Sequence, residues 1–249
     1  MSKHIKTKRA GSVLTVTIDN QGRRNAIGTA ALDRLDALAD EIANDDIRAV
    51  VLTGAGDKAF TSGFDLNELG GFKPENFLTS RFSDVFEKWA GLPVPVIGAL
   101  NGHCMGGGVH VAVTCDMLIA SPGVRFMIPA ARFGFVYVPA SIRRISAGLG
   151  ASRAAQLLYL DQELVADDLV QSGFIREIVD GDLMVRAAEL AENAAALSPM
   201  AVAAMKEIVR EAPDQDRVEA LVRACAFSDD VAEGLAAMRE KRKPVFKGQ

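Results

Sequence analysis

Cysteine is scarce in this chain: Cys104, Cys115 and Cys225 are the only three in 249 residues. An odd, widely spaced set builds no disulfide framework and suits a reducing cytoplasm. Basic charge is short as well. Lys and Arg number 28 against 32 Asp and Glu, a formal net charge of −4, so no bulk cationic surface is available for nucleic acid. No uncharged apolar run reaches the roughly 18 residues of a membrane span. The opening MSKHIKTKRAGSVLTV has basic residues but no apolar run ahead of a cleavage site, so no secretory signal is read there. Internal repeats, low-complexity tracts and a sharp linker are missing too. The expected setting is the cytoplasm, with neither membrane nor nucleic acid as partner.

Several catalytic signatures are also absent. There is no C-x-x-C or H-x-x-x-H pair. His103, Cys104, His110 and Cys115 lie close together, but Gly106-Gly107-Gly108 interrupts any helix that could align them, so no metal site is expected. GHCMGGG lacks the Lys-Ser/Thr that ends a P-loop. G-x-S-x-G does not occur, and Ser62, Ser141 and Ser146 read as turn and capping residues. Gly54-Ala55-Gly56-x-x-Ala59 follows a strand and formally fits a dinucleotide fingerprint. That fingerprint needs a helix to open at once on the pyrophosphate, and Gly63 breaks any helix begun at Asp57.

What is present is an ordinary globular balance, 49% hydrophobic and 24% charged, enough for one large core or a core with a small lobe. Residues 5–8 and 13–18 predict a hairpin around Ala10-Gly11. Leu32, Leu35, Leu38, Ala39 and Ile42 carry helical spacing, and the apolar run 49–53 completes a β-α-β unit with a parallel pair. A second amphipathic helix covers 84–89. Then comes the stretch that organises the chain, 93–121: an apolar strand (94–100), a glycine-rich loop (102–108), a small-residue helix and a second strand (117–120). From residue 141 onward the pattern is helical, with stripes at 151–160, 163–172, 183–197, 200–211, 218–227 and 231–241. The predicted class is α/β with a largely parallel sheet: a β/α core over 1–180 and a helical lobe over 181–249.

Two glycine turns stand out. Ser62-Gly63-Phe64-Asp65 opens a short helix at Leu66, and Gly106-Gly107-Gly108 opens the helix that holds His110. Each can aim a backbone N–H, and two such donors meeting on one oxygen make an oxyanion hole. That would suit a thioester carbonyl polarised toward an enolate. Composition does not show that they meet.

AFTSGFDLNEL, NGHCMGGGVHVAVTCDMLIAS, RRNAI and the closing GLAAMREKRKPVF together resemble the crotonase (enoyl-CoA hydratase/isomerase) superfamily, in order and spacing over nearly the whole chain. The resemblance implies a spiral of β/α repeats with a helical trimerisation lobe, and trimers or paired trimers. It implies oxyanion donors at the Phe64 and Gly107 N–H groups. It also implies an acyl-CoA substrate bound along Ala26, Ser62, Gly63, Phe64, Asp65, Leu66 and Asn67. Lys241, often supplied by a neighbouring subunit, would face the CoA phosphates. No cofactor is implied beyond the CoA moiety of the substrate.

The departures bear on the reaction. Family hydratases carry one glutamate three residues after the middle glycine, where this chain has His110. The second follows a proline in a segment resembling FMIPAARFG, where this chain has Ala130. Without that pair, syn-hydration lacks its acid and base. His110 is the replacement the position suggests. Tyr137 resembles a tyrosine of the methylmalonyl-CoA decarboxylase branch at the same offset, although that branch has a histidine where Phe64 stands. Arg132, Arg143 and Arg144 could pair a substrate carboxylate, with surface ion pairs as the plain alternative. The expectation is a family enzyme acting through an enolate, with Phe64, Gly107, His110 and Tyr137 at the site. Its rivals are a malonyl-type decarboxylase and a noncatalytic CoA-binding protein.

Overall fold

The structure, a computed structural model, describes residues 2–68 and 80–249. The chain opens as a hairpin of β1 (Ile5–Ala10) and β2 (Val13–Ile18), turned at Gly11 with φ +59°. Helix α1 (Thr29–Asn44) buries Leu32, Leu35, Leu38, Ala39 and Ile42 and returns the chain to β3 (Ala49–Gly54), parallel to β2. The next strand, β4 (Ala59–Thr61), leaves that sheet. It begins three positions after Gly56, with no helix between, so none opens where a dinucleotide fingerprint would need one.

The same step then repeats. Helix α2 (Arg81–Ala90) leads to β5 (Val96–Leu100) beside β3, and β6 (His103–Met105) joins β4. Helix α3 (Gly107–Thr114) leads to β7 (Met117–Ala120) beside β5, and β8 (Arg125–Met127) joins β6. With β9 (Leu164–Val165) and β10 (Glu177–Ile178) the result is one sheet ordered β1-β2-β3-β5-β7-β10 and a second ordered β4-β6-β8-β9. This alternation between two sheets is the expected spiral. Strands β3 and β5 are buried along their whole length, as parallel strands covered on both faces must be.

Two local expectations change. Residues 103–105, read as glycine-rich loop, form β6, because hydrogen bonding to β4 and β8 supplies an order that three residues cannot advertise by periodicity. The predicted helix over 163–172 is a strand and a short helix, β9 and α6 (Ala166–Leu169), because Leu164 and Val165 pair antiparallel with β8.

Before these lie α4 (Pro139–Leu149) and α5 (Ala151–Leu158). Helix α7 (Leu183–Ala195), the first of the expected helical lobe, lies on the face of the larger sheet away from α1. Its stripe of Leu183, Ala187, Ala191 and Ala195 packs on Val13, Val51, Ile97 and Ile119. Three more helices follow: α8 (Pro199–Glu211), α9 (Gln215–Ala226) and α10 (Asp229–Glu240). They bury little. Val209, Val222, Phe227 and Met238 are exposed.

Candidate active site

A buried asparagine aligns the first loop. Asn25 is held left-handed at φ +57°. Its Nδ2 donates to the carbonyls of Ala55 (2.9 Å) and Ala59 (2.7 Å), while its Oδ1 accepts from the Asn20 N–H (3.0 Å). Thr61 Oγ1 donates to the Asn25 carbonyl (2.6 Å) and accepts from the Gly63 N–H (3.0 Å). Ile27 N–H then donates to the Gly63 carbonyl (2.8 Å), and Asp65 N–H to the Ile27 carbonyl (3.1 Å). The Phe64 N–H lies between those two bonds and donates to no acceptor among the described residues.

The second loop meets the first. Gly63 has φ +81°, and a Cβ on it would lie 2.5 Å from the Gly107 Cα and 2.6 Å from the Gly107 nitrogen. Only hydrogen fits between these backbones. Gly107 is the first residue of α3, so its N–H has no intrahelical acceptor. Gly106, at φ +57° and ψ −124°, takes a backbone shape reserved for glycine. Its N–H is tied to the Met127 carbonyl on β8 at 2.8 Å. Two unbonded donors are therefore brought to adjoining backbone positions by the ends of the paired strands β4 and β6 of the smaller sheet. That is the juxtaposition an oxyanion hole needs.

Tyr137 comes to the same loop. Its hydroxyl lies 3.6 Å from where a Cβ of Gly106 would stand, and it makes no hydrogen bond among the described residues. Phe135 flanks the ring at 5.9 Å. Burial pushes the phenol well above its ordinary pKa, so at neutral pH it can give a proton but not take one.

His110 sits deeper. It is 1% exposed, with Nδ1 3.1 Å from Ser141 Oγ and Nε2 3.6 Å from Glu87 Oε1. Ala130 is buried beside the short turn Ala131–Phe133 and brings only a methyl group. Of the arginines, Arg132 pairs with Asp161 on the surface (2.5 Å) and Arg144 grips Glu87 with two nitrogens. Arg143 lines a cleft of about 870 Å³ behind α3 without an acidic partner among the described residues. Burial pushes the Glu87 carboxyl up, but the hydrogen bonds from Arg144 and then the nearby His110 ring outweigh it and bring the group down to about 2 from 4.5. Its contribution to stability is therefore full above about pH 4.5 and lost as the pH falls through about 2. The melting-temperature difference between wild type and Glu87→Gln should shrink across that window.

The segment expected to hold CoA is one continuous wall. Ala26 and Gly63 are buried, Ser62 and Phe64 half-buried, and Asn67 exposed. Asp65 takes Arg23 Nη1 (2.7 Å) on one oxygen and the N–H and Nδ2 of Asn67 (3.0 and 2.9 Å) on the other. Burial raises the Asp65 carboxyl, and Asn67 with Arg23 brings it net below the ordinary value. Leu66 begins the 3₁₀ turn Leu66–Glu68, and Glu68 accepts from the Thr29 N–H (2.6 Å), capping α1. A cleft of about 400 Å³ opens here, lined by Asn20, Arg23, Gly28, Asp65, Asn67 and Glu68 among others. Lys241 ends α10, left-handed and exposed, and no hydrogen bond or ion pair joins its side chain to this wall among the described residues. Nor do the described residues place three or more His, Cys, Asp or Glu to hold a metal ion.

Sequence reasoning passes over Asn25, Ser83 and Glu87 and takes Ser141 as a capping residue. A signal for two of them exists: Ser83 and Glu87 stand four apart on the α2 face that also carries Phe82 and Phe86. Polar groups there interrupt a core-facing stripe.

The enoyl-CoA hydratase/isomerase family model matches residues 8–249. The short-chain-enoyl-CoA hydratase of Clostridium acetobutylicum is 32% identical, over 95% of this chain and 94% of its own. The carnitinyl-CoA dehydratase of Escherichia coli K12 is 30% identical over the full length of both. Among solved structures, the enoyl-CoA hydratase of Bacillus anthracis superposes with a TM-score of 0.90 at 28% identity, covering 99% of this chain and 100% of that one.

Proposed function

The chain belongs to the enoyl-CoA hydratase/isomerase family, and from that premise we propose that it acts on an acyl-CoA thioester through an enolate. The observation that carries the reading is the contact of Gly63 with Gly107, which supports a meeting of the neighbouring Phe64 and Gly107 N–H groups, both without an acceptor among the described residues. A thioester oxygen between them gains two hydrogen bonds that strengthen as it becomes an enolate oxygen. CoA lies along Ala26, Ser62, Gly63, Phe64, Asp65, Leu66 and Asn67. Tyr137 faces the loop as proton donor, and His110 serves as the second acid–base group.

The exposed apolar residues of α8 to α10 support self-association, since apolar surface of this kind marks an interface, and the assembly we propose is the homotrimer or dimer of trimers that the family resemblance implies. In that assembly Lys241 serves the CoA of a neighbouring subunit.

A second reading is favoured by Tyr137 and Ala130 together. A phenol kept protonated and a methyl group where a carboxylate would stand leave a donor without a matching base. Decarboxylation of a malonyl-type thioester fits that inventory. The carboxylate–Cα bond breaks, its electron pair enters the enolate, carbon dioxide leaves, and Tyr137 O–H protonates Cα. Solvent then returns the proton to the phenolate.

Mass spectrometry of products from crotonyl-CoA, longer 2- and 3-enoyl-CoAs, malonyl-CoA and methylmalonyl-CoA decides between these. Loss of carbon dioxide selects the second reading, and gain of water selects hydration with His110 or another residue in place of the glutamates. No conversion of any member, with CoA bound, favours a binding protein or a substrate outside the panel. Tyr137→Phe is expected to lower kcat by about 10²-fold or more while the thermal shift given by CoA persists. An unchanged kcat would remove Tyr137 from the chemistry.

A further inference from the structure

His110 is enclosed by groups from two other helices. Helix α2 contributes Ser83, Glu87 and the rings of Phe82 and Phe86, whose centroids lie 6.1 and 6.3 Å from the imidazole. Helix α4 contributes Ser141 and Arg144. Ser141 Oγ stands 3.1 Å from Nδ1 and 3.2 Å from Ser83 Oγ. Nε2 is fully buried and makes no formed hydrogen bond, yet the acidic oxygen it faces, Glu87 Oε1, is 3.6 Å away. Glu87 itself is fixed, because Arg144 Nε (2.9 Å) and Nη2 hold one oxygen each.

We propose that Glu87 is a positioning residue for His110, holding it as the Nε2–H tautomer and leaving Nδ1 bare to accept from Ser141. The argument is one of donors and acceptors. An ionised carboxylate only accepts, so the nitrogen facing it is the one that carries the proton. Nδ1 then has a lone pair and no proton. The single Ser141 proton goes to it, and Ser83 donates to Ser141. Two hydrogen bonds and one N–H-to-carboxylate approach then point one way: Ser83 to Ser141, Ser141 to His110, and His110 Nε2 toward Glu87 at 3.6 Å.

Two consequences follow. His110 acts as a base through Nδ1, on the α4 side of its ring, where Ser141 Oγ is the hydroxyl in contact with it. Arg144 also matters, because it neutralises much of the Glu87 charge. An imidazolium formed in turnover is oriented by Glu87 without being trapped by it, and so gives its proton back. Neither residue is among those the family resemblance implies.

The proposal rests on the acid–base role given to His110, but its first test does not. The chain has three histidines, so histidine-¹⁵N-labelled protein gives three imidazole patterns in long-range ¹H–¹⁵N spectra. His4→Gln and His103→Gln identify two of them. The remaining pattern is expected to show protonated Nε2 and bare Nδ1 without any substrate. Glu87→Gln, whose carboxamide can donate as well as accept, is expected to give a mixed tautomer, and Glu87→Asp to restore the wild-type pattern in part.

In turnover, Glu87→Gln is expected to lower kcat about tenfold or more with KM little changed. Arg144→Met, which leaves Glu87 in place and unclamped, is expected to shift the acid limb of the kcat/KM profile to higher pH. It also serves if Glu87→Gln does not fold. A protonated Nδ1 in the wild type, or a pattern unmoved by Glu87→Gln, overturns the proposal. The expected tautomers with unchanged turnover in every variant would leave Glu87 its positioning role and take the chemistry away from His110.

Discussion

Alanine in place of Gly63 is expected to lower turnover by roughly 10²–10³-fold, the cost of losing an oxyanion donor. The reason is geometric. The added Cβ would lie 2.5 Å from the Gly107 Cα and 2.8 Å from its carbonyl carbon, all backbone atoms that no rotamer change can move aside. Residue 63 also sits at φ +81°, which costs an L-residue about 1–2 kcal/mol. The loops must separate, and the Phe64 and Gly107 N–H groups separate with them. The Asn25 and Thr61 bonds hold the first loop against β3 and β4 independently of Gly107, so the fold should survive.

Gly107→Ala makes an informative contrast. Its Cβ meets the edge of the Phe82 ring, which can tilt, at 3.1 Å, and the Gly63 Cα at 3.2 Å, a tight contact but less severe than the 2.5 Å met by a Cβ on Gly63. Its effect should therefore be the smaller of the two. Steady-state kinetics on the substrate that turns over, with circular-dichroism melts of both variants, checks the order. Full activity in Gly63→Ala would remove the two-loop oxyanion hole from the mechanism.

The fold was legible where local pattern and burial coincide. Helix α1 keeps its apolar spacing, and the strands at 49–54 and 96–100 are continuous apolar runs because both faces are covered. Strands β4, β6, β8 and β9 were not legible, because each is only two or three residues long and exists through partners far away in sequence. The site divides in the same manner. Glycines announce the two turns, but nothing in the chain announces that Gly63 touches Gly107. His110 was readable by position, while Ser141 and Glu87 acquire meaning only once α2, α3 and α4 are packed together. Ser141 looked like a capping residue because its partner is 31 positions away.

Removal of the Asp116 carboxylate is expected to cost about 3 kcal/mol of stability, because its carboxylate is partly exposed while its lysine partner is nearly buried. Lys206 on α8 reaches into the core, with its side chain 9% exposed and Nζ 2.7 Å from both Asp116 Oδ2 and the Val94 carbonyl. Burial pulls the Lys206 ammonium below its ordinary pKa, and Asp116 works against that. Asp116 Oδ2 also accepts the Val96 N–H (2.8 Å), and Oδ1 accepts from Arg210 Nη2 (3.0 Å). Asp116→Ala would leave a buried ammonium without its counter-charge and a strand N–H without its acceptor.

The effect should reach the site along α3. Arg210 also donates to the carbonyls of Thr114 (3.2 Å) and Cys115 (2.8 Å), placing a cation at the C-terminal end of the helix whose first N–H belongs to Gly107. A melting temperature lower by on the order of 10 °C is expected for Asp116→Ala. The double variant Asp116→Ala, Lys206→Met should recover part of it, because the stranded charge is gone. If the double variant is no more stable than the single one, the loss comes from the Val96 and Arg210 bonds rather than from the buried charge, and the anchoring of α8 must be assigned to them.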